Sequence, residues 1–147
     1  MTAMGKDGYV EAARRIFEAV RVAADAVKEA EGIELYGEPD LSVVCFGEAR
    51  SGNKRCHPLS VMDKLKTRGW NLNGLQDPPC VHLCVTAKNA SMAHVFAEDL
   101  LWATQEVLAS PVENRGSSMA LYGMSKSAPE AVIGQITHGY LDLLTET

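Results

Sequence analysis

The sequence predicts an α+β domain, a small and largely antiparallel sheet with helices packed on one face. Three observations predict it. Long segments repeat apolar residues with helical period, shorter β-branched segments are bounded by turn residues, and the connections mix hairpin turns with helices. At 147 residues and 46% hydrophobic, the chain is expected to form one core and one domain. That composition excludes intrinsic disorder, collagen-like repeats and a disulfide-stapled miniprotein, and argues against a self-contained large cofactor enzyme.

Residues 9–31 read as the first helix. Val10, Ala13, Ile16, Phe17, Val20, Ala24 and Val27 follow the i, i+3, i+4, i+7 rhythm, and Arg14, Arg15, Glu18, Arg21, Asp25 and Lys28 fall mostly on the other face. Gly32 follows, where a helix end needs tolerance of positive φ. Ile33 to Tyr36 alternates weakly, and Gly37-Glu38-Pro39-Asp40 is turn chemistry. Leu41 to Phe46 is short and β-branched, as a buried strand is. After a polar loop over 47–57, Pro58 opens a helix to about Lys66, with Leu59, Met62 and Leu65 on one face.

Gly69 ends that helix, and Trp70 to Asn73 reads as a short strand or edge. Asn73-Gly74 and Asp77-Pro78-Pro79 punctuate the approach to a strand over Cys80 to Thr86. Met92 to Leu108 is a second long helix, its predicted core face Met92, Val95, Phe96, Ala103 and Val107. Pro111 breaks it, and 111–126 is a Gly/Ser-bearing loop with an apolar patch at Met119 to Tyr122. Ser127-Ala-Pro-Glu130 is a capping box that opens a last helix to about Leu144.

Fourteen Lys and Arg against 19 Asp and Glu give a net charge of −5, so the electrostatic footprint of a nucleic-acid binder is missing. The dense basic cluster, Arg50, Lys54 and Arg55, lies in a Gly/Ser/Asn-bearing stretch and is read as a solvated loop rather than a phosphate clamp. No apolar run reaches the ~18 residues of a membrane span. Met1 to Arg15 has no apolar core and carries Asp7 and Glu11, so no leader is expected. Cys45, Cys56, Cys80 and Cys84 contain no CxxC and are expected as reduced thiols of a cytosolic or cytosol-facing domain.

Cys80, His82 and Cys84 alternate along one strand and share a face. Three soft ligands suit zinc, but the spacing is not that of a finger or ribbon and no fourth ligand is evident. The preferred reading is a buried strand face with one hydrogen-bonded histidine and no metal. Ser51-Gly52-Asn53-Lys54 matches a bare Ser-x-x-Lys without its companion motifs. No nucleophile elbow, phosphate loop, dinucleotide fingerprint or zinc-protease motif occurs. Two loop segments stand out: Trp70 to Gln76, with an indole and two asparagines, and Ser117 to Met124, with a tyrosine and two methionines. Loops on a rigid scaffold often carry binding residues, though ordinary half-buried packing would use the same residues.

Gly8-Tyr-Val-Glu-Ala12, Leu41-Ser-Val-Val44, Gly69-Trp-Asn-Leu-Asn73, Leu75-Gln76 with Pro78-Pro79, His82-Leu-Cys-Val-Thr86 and Leu121-Tyr-Gly-Met124 together resemble the sphingosine-1-phosphate lyases. These enzymes belong to the group II pyridoxal-phosphate-dependent decarboxylase superfamily. The resemblance runs from Gly5 to Leu144 and matches only the C-terminal small domain of the much larger, fold-type I enzyme. It implies retro-aldol cleavage of the C2–C3 bond of sphingoid-base 1-phosphates to a long-chain aldehyde and phosphoethanolamine, with pyridoxal 5′-phosphate as electron sink. It implies homodimers with the active site at the subunit interface, commonly held on the endoplasmic reticulum membrane and facing the cytosol. The implied partners are a large cofactor-binding domain, expected to be absent from this chain, and a second lyase subunit.

The family's Schiff-base lysine follows a histidine, and here none of His57, His82, His94 and His138 precedes a lysine. No residue of this chain is therefore expected to be catalytic, and covalent cofactor binding is not expected. Tyr122 with Gly123 matches the family's loop tyrosine, which implies a hydrogen bond near the substrate phosphate or the cofactor. Asn71, Asn73, Gln76 and His82 match family positions and are expected to shape the cleft between the domains. Cys80 stands where the family usually has serine, and the basic stretch within Glu48 to His57 replaces an acidic, aromatic one. The alternative to an enzyme's small domain is a free-standing binding or regulatory domain derived from this family.

Overall fold

The structure, a computed structural model, describes residues 5–109. The expected loop over 111–126, with Tyr122 and Gly123, and the expected last helix lie outside the described residues. The elements run α1 (Lys6–Glu29), β1 (Ile33–Leu35), β2 (Val43–Glu48), α2 (Pro58–Thr67), β3 (Asn73–Gln76), β4 (Pro79–Cys84), a short 3₁₀ turn (Ala90–Met92) and α3 (Ala93–Ala109). The four strands form one antiparallel sheet in the order β1-β2-β4-β3. This is the α+β architecture the sequence predicts.

Side-chain alternation gives the sheet two unlike faces. Leu35, Phe46 and Val81 form one row of the inner face, and Val44 with Leu83 the next. Phe46, Val44 and Val81 are fully buried there. α1 and α2 pack on this face, and α3 lies against both helices. Val27, Leu65, Phe96 and Leu100 close the core between them.

α1 ends at Ala30, whose N–H bonds the Ala26 carbonyl 3.0 Å away. The chain then reverses through Gly32, at φ +84°. The Gly32 carbonyl accepts from the N–H groups of both Ala49 (3.1 Å) and Cys56 (2.8 Å), pinning the helix exit to the far ends of the loop over 49–56.

Several elements differ from expectation. β2 extends past the apolar run to Gly47 and Glu48, because these pair with β1 through backbone groups that need no apolar side chain. The strand expected at 70–73 starts only at Asn73, because Trp70 and Leu72 turn inward to pack. The second hairpin then turns through Asp77 and Pro78, whose peptide bond is cis. On α3 the buried stripe is Ala93, Phe96, Leu100, Ala103 and Val107, while Met92 and Val95 are 44% and 43% exposed. The 3₁₀ turn sets this phase, so Met92 lies before the helix and Val95 falls beside the stripe. On α1 the buried residues begin only at Ala19, and the predicted core residues Val10 and Phe17 are exposed.

A methyl group at Gly32 would stand 2.7 Å from Cys56 Sγ and 2.9 Å from the Cys56 backbone nitrogen. Gly32→Ala is therefore expected to destabilise the domain by about 2–4 kcal/mol, from left-handed backbone strain plus overpacking. Urea denaturation checks this.

Candidate functional site

Two groups of side chains form the candidate site and its frame. The first lies on the outer face of the sheet. The register places Cys45 of β2 opposite His82 of β4, and Asn73 of β3 on the other side of the same histidine. Gly47, Cys80 and Leu75 make the neighbouring row, and Val43 and Cys84 the row on the other side. His82 and Cys45 are half-buried, Cys80 is buried, and Asn73 and Cys84 are exposed.

Of the residues singled out from sequence, Asn73 and His82 are thus brought together. Gln76 is not: three positions beyond Asn73 on a strand, it lies on the opposite face, paired with Pro79. Asn71 is exposed in the turn before β3. Tyr122 and Gly123 lie outside the described residues.

Cys45 joins Cys80, His82 and Cys84 as a potential fourth soft ligand that the sequence did not reveal. Side chains standing side by side on a sheet do not converge on one point, as a tetrahedral zinc site requires. Among the described residues, no group of three or more His, Cys, Asp or Glu is placed to hold a metal. Burial, then a hydrogen bond with the Cys80 thiol, pushes the Cys45 thiol up to about 12. Cys56, fully buried with its sulfur 3.6 Å from the carbonyl oxygens of Glu31 and Thr104, is pushed up to about 11 by burial and then by Glu48 and Glu31. Both stay protonated at neutral pH and are poor nucleophiles.

The loop beside β1 carries the basic cluster, and each of its cations has an acid. Arg50 Nε lies 3.1 Å from Glu34, Lys54 pairs with Glu31, and Arg55 lies 3.4 Å from Glu48. Arg55 also donates to the Ala49 carbonyl at 2.7 Å, and Arg50 stacks on the Tyr36 ring at 4.7 Å. The Tyr36 ring in turn rests on Gly47, where a Cβ would collide with it. These cations neutralise neighbouring acids and hold the loop.

The second group is a clasp at the end of α2. Asp99 sits in the buried stripe of α3 and accepts hydrogen bonds from the Arg68 guanidinium and from Trp70 Nε1, the latter at 2.8 Å. Arg68 stacks on Trp102 at 3.6 Å, and Trp70 meets Phe96 edge to face at 5.0 Å. Burial raises the Asp99 carboxyl, but the bonds from Trp70 and Arg68 and the Arg68 charge outweigh it and hold the carboxyl below its ordinary value. Sequence reasoning missed this group. The available signal was an acid three residues after Phe96 on the core face of a helix, which needs a partner. The segment from Trp70, which stood out as a candidate binding loop, thus begins with a packing residue.

The resemblance implies pyridoxal phosphate, and the described residues do not fit it by themselves. Their lysines are all exposed except Lys64, which is half-buried on α2. A groove of about 260 Å³ between α1 and the start of α3 is lined by Arg15, Glu18, Ser91 and His94, and one of about 180 Å³ by Glu29, Glu31, Thr104 and Gln105. Neither contains a lysine that could capture an aldehyde.

No protein-family profile matches the chain. In fold it is similar to a sphingosine-1-phosphate lyase of Burkholderia pseudomallei K96243, with a TM-score of 0.76 and 24% identity over 99% of this chain and 28% of that one. It is also similar to a glutamate decarboxylase of Lactobacillus brevis, with a TM-score of 0.60 and 24% identity over 71% of this chain and 25% of that one. The fold is therefore a small α+β domain found within a lyase and within a decarboxylase. In sequence the chain is 37% identical over 144 residues to the sphingosine-1-phosphate lyase of Drosophila melanogaster, covering 96% of the chain and 26% of that protein. It is 28% identical to that of Arabidopsis thaliana and 29% identical to sphingosine-1-phosphate lyase 1 of Mus musculus, each over 97% of the chain and 25% of the relative. The chain is thus similar along nearly its whole length to sphingosine-1-phosphate lyases, and it corresponds to their C-terminal small domain. It spans about a quarter of the length of the curated relatives it matches.

Two predictions test this geometry. Cys84, the exposed thiol, is expected to alkylate at neutral pH at least ~10 times faster than Cys45 or Cys56, whose thiolates are suppressed. Mass spectrometry of timed iodoacetamide reactions checks the order. The depressed Asp99 carboxyl contributes stability that is fully present above the unfolded-state value and is lost as pH falls through the folded one. Asp99→Asn is expected to cost about 1–3 kcal/mol at pH 7 and to flatten the acid limb of a stability–pH profile.

Proposed function

We propose that this chain serves as the small domain of a pyridoxal-phosphate-dependent sphingosine-1-phosphate lyase and has no lyase activity alone. The observation that carries this is similarity to those lyases along nearly the whole chain, over only about a quarter of their length. The absence of a lysine after any of the four histidines supports the second half. In the complete enzyme the cofactor, held by another domain, supplies the electron sink for C2–C3 cleavage.

This chain's part is to bind and orient. The exposed amide of Asn73 and the half-buried imidazole of His82 face outward in one row and offer hydrogen bonds to whatever the sheet faces. The fully paired basic loop leaves the substrate phosphate to donors elsewhere, of which Tyr122 is the first candidate. Cytosolic placement and a homodimer follow from the same family reading. Among the described residues no helix is long and apolar enough to cross a membrane.

The test joins the chain to the first three quarters of the Drosophila melanogaster lyase, in place of that enzyme's own C-terminal quarter. The chimera is expected to release long-chain aldehyde from sphingosine 1-phosphate. The 147-residue chain alone is expected to release none and to show no visible absorbance of lysine-bound pyridoxal phosphate. Tyr122→Phe is expected to slow the chimera about 10- to 100-fold, the loss of a hydrogen bond to a charged group. Stable covalent capture of the cofactor by the free chain, or a chimera that folds without activity, overturns the proposal.

A further inference from the structure

We infer that the first half of α1 is a docking surface for the domain that precedes this segment in the longer lyases. This rests on the small-domain reading above and adds the surface by which it is used. Residues 6–18 of α1 are all exposed or half-buried, whereas the buried residues run from Ala19 onward. Ile16 is the first residue packed against the core, and Arg15 and Glu18 line the groove shared with the start of α3. At 1.5 Å per residue, residues 6–14 carry the helix roughly 13 Å beyond that contact.

That overhang is not a solvated rod. Tyr9, Val10, Ala13, Ile16 and Phe17 fall within roughly 120° of arc at helical spacing. Val20, Ala24 and Val27, the residues that bury the second half, continue the same stripe. The core-facing side of α1 therefore runs on past the core. Tyr9 is 67% exposed, Val10 50% and Phe17 42%. Apart from Lys6 at the helix start, the charges of this half keep to the other side, where Arg14 pairs with Glu11 at 3.3 Å. An apolar stripe of this length is built to be covered.

Chain order selects the occupant. The segment corresponds to the C-terminal quarter of its relatives, so about three quarters of their length lies before it. The polypeptide of that preceding domain must arrive at the N-terminal end of α1. A covalently joined neighbour meets the overhang at high effective concentration, which a second copy of this chain does not.

Hydrogen exchange on the 147-residue chain and on the Drosophila chimera tests the surface. Amides of residues 6–18 are expected to exchange at least tenfold more slowly in the chimera. Phe17→Glu is expected to abolish that protection while leaving the melting temperature of the free chain unchanged. An active chimera with no added protection overturns this inference and spares the small-domain reading. A chimera that folds without lyase activity removes the reading and the inference with it. Protection in the free chain that rises with concentration and is lost in Phe17→Glu assigns the stripe to a second copy, and a free Phe17→Glu chain that melts early assigns it to packing within the chain. Either result overturns the inference.

Discussion

The pairing of β2 with β4 is the constraint on which the rest of the structure depends. These strands are not neighbours in sequence; α2 and β3 lie between them. Their register sets Phe46 against Val81 and Val44 against Leu83, which makes one face apolar enough to receive α1 and α2. The same register necessarily sets Cys45 against His82 on the other face. A slip of one residue would move the thiols and imidazole into the core and the branched side chains out of it. Core and candidate site are thus two sides of one hydrogen-bond ladder.

The loop between β2 and α2 is held by a different device. Gly32 offers one carbonyl to two donors, and Arg50, Lys54 and Arg55 meet acids of α1's exit, β1 and β2. Exposed ion pairs of this kind contribute little individually to stability. Their effect is to fix the shape of an irregular segment and cancel its charge. The basic stretch that the sequence reads as a solvated loop is thus exposed but paired with acids of its own chain.

Much of the fold was legible because local pattern and tertiary environment agree. The run from Val43 to Phe46 is β-branched and buried in alternation, and Pro58 opens α2 where the sequence places it. The misreadings have physical causes. Met92 and Val95 look like core residues until the 3₁₀ turn sets the phase of α3, and apolarity alone did not show that the stripe on α1 outruns its partner elements. Of the candidate site, the shared face of Cys80, His82 and Cys84 was readable from alternation. The contribution of Cys45 was not, since it depends on a long-range register. Asn73 and Gln76 were both expected to shape one cleft, but an odd separation on a strand puts them on opposite faces.

The clasp around Asp99 has a consequence for how the molecule is observed. The chain has two tryptophans, Trp70 and Trp102, and both belong to that clasp. One indole donates to a buried carboxylate and the other lies under a guanidinium. Intrinsic fluorescence is therefore a local gauge of the seam between α2 and α3, blind to events at the sheet's outer face or along the free half of α1. Loosening of that seam changes the emission even while the far-ultraviolet signature of the helices persists.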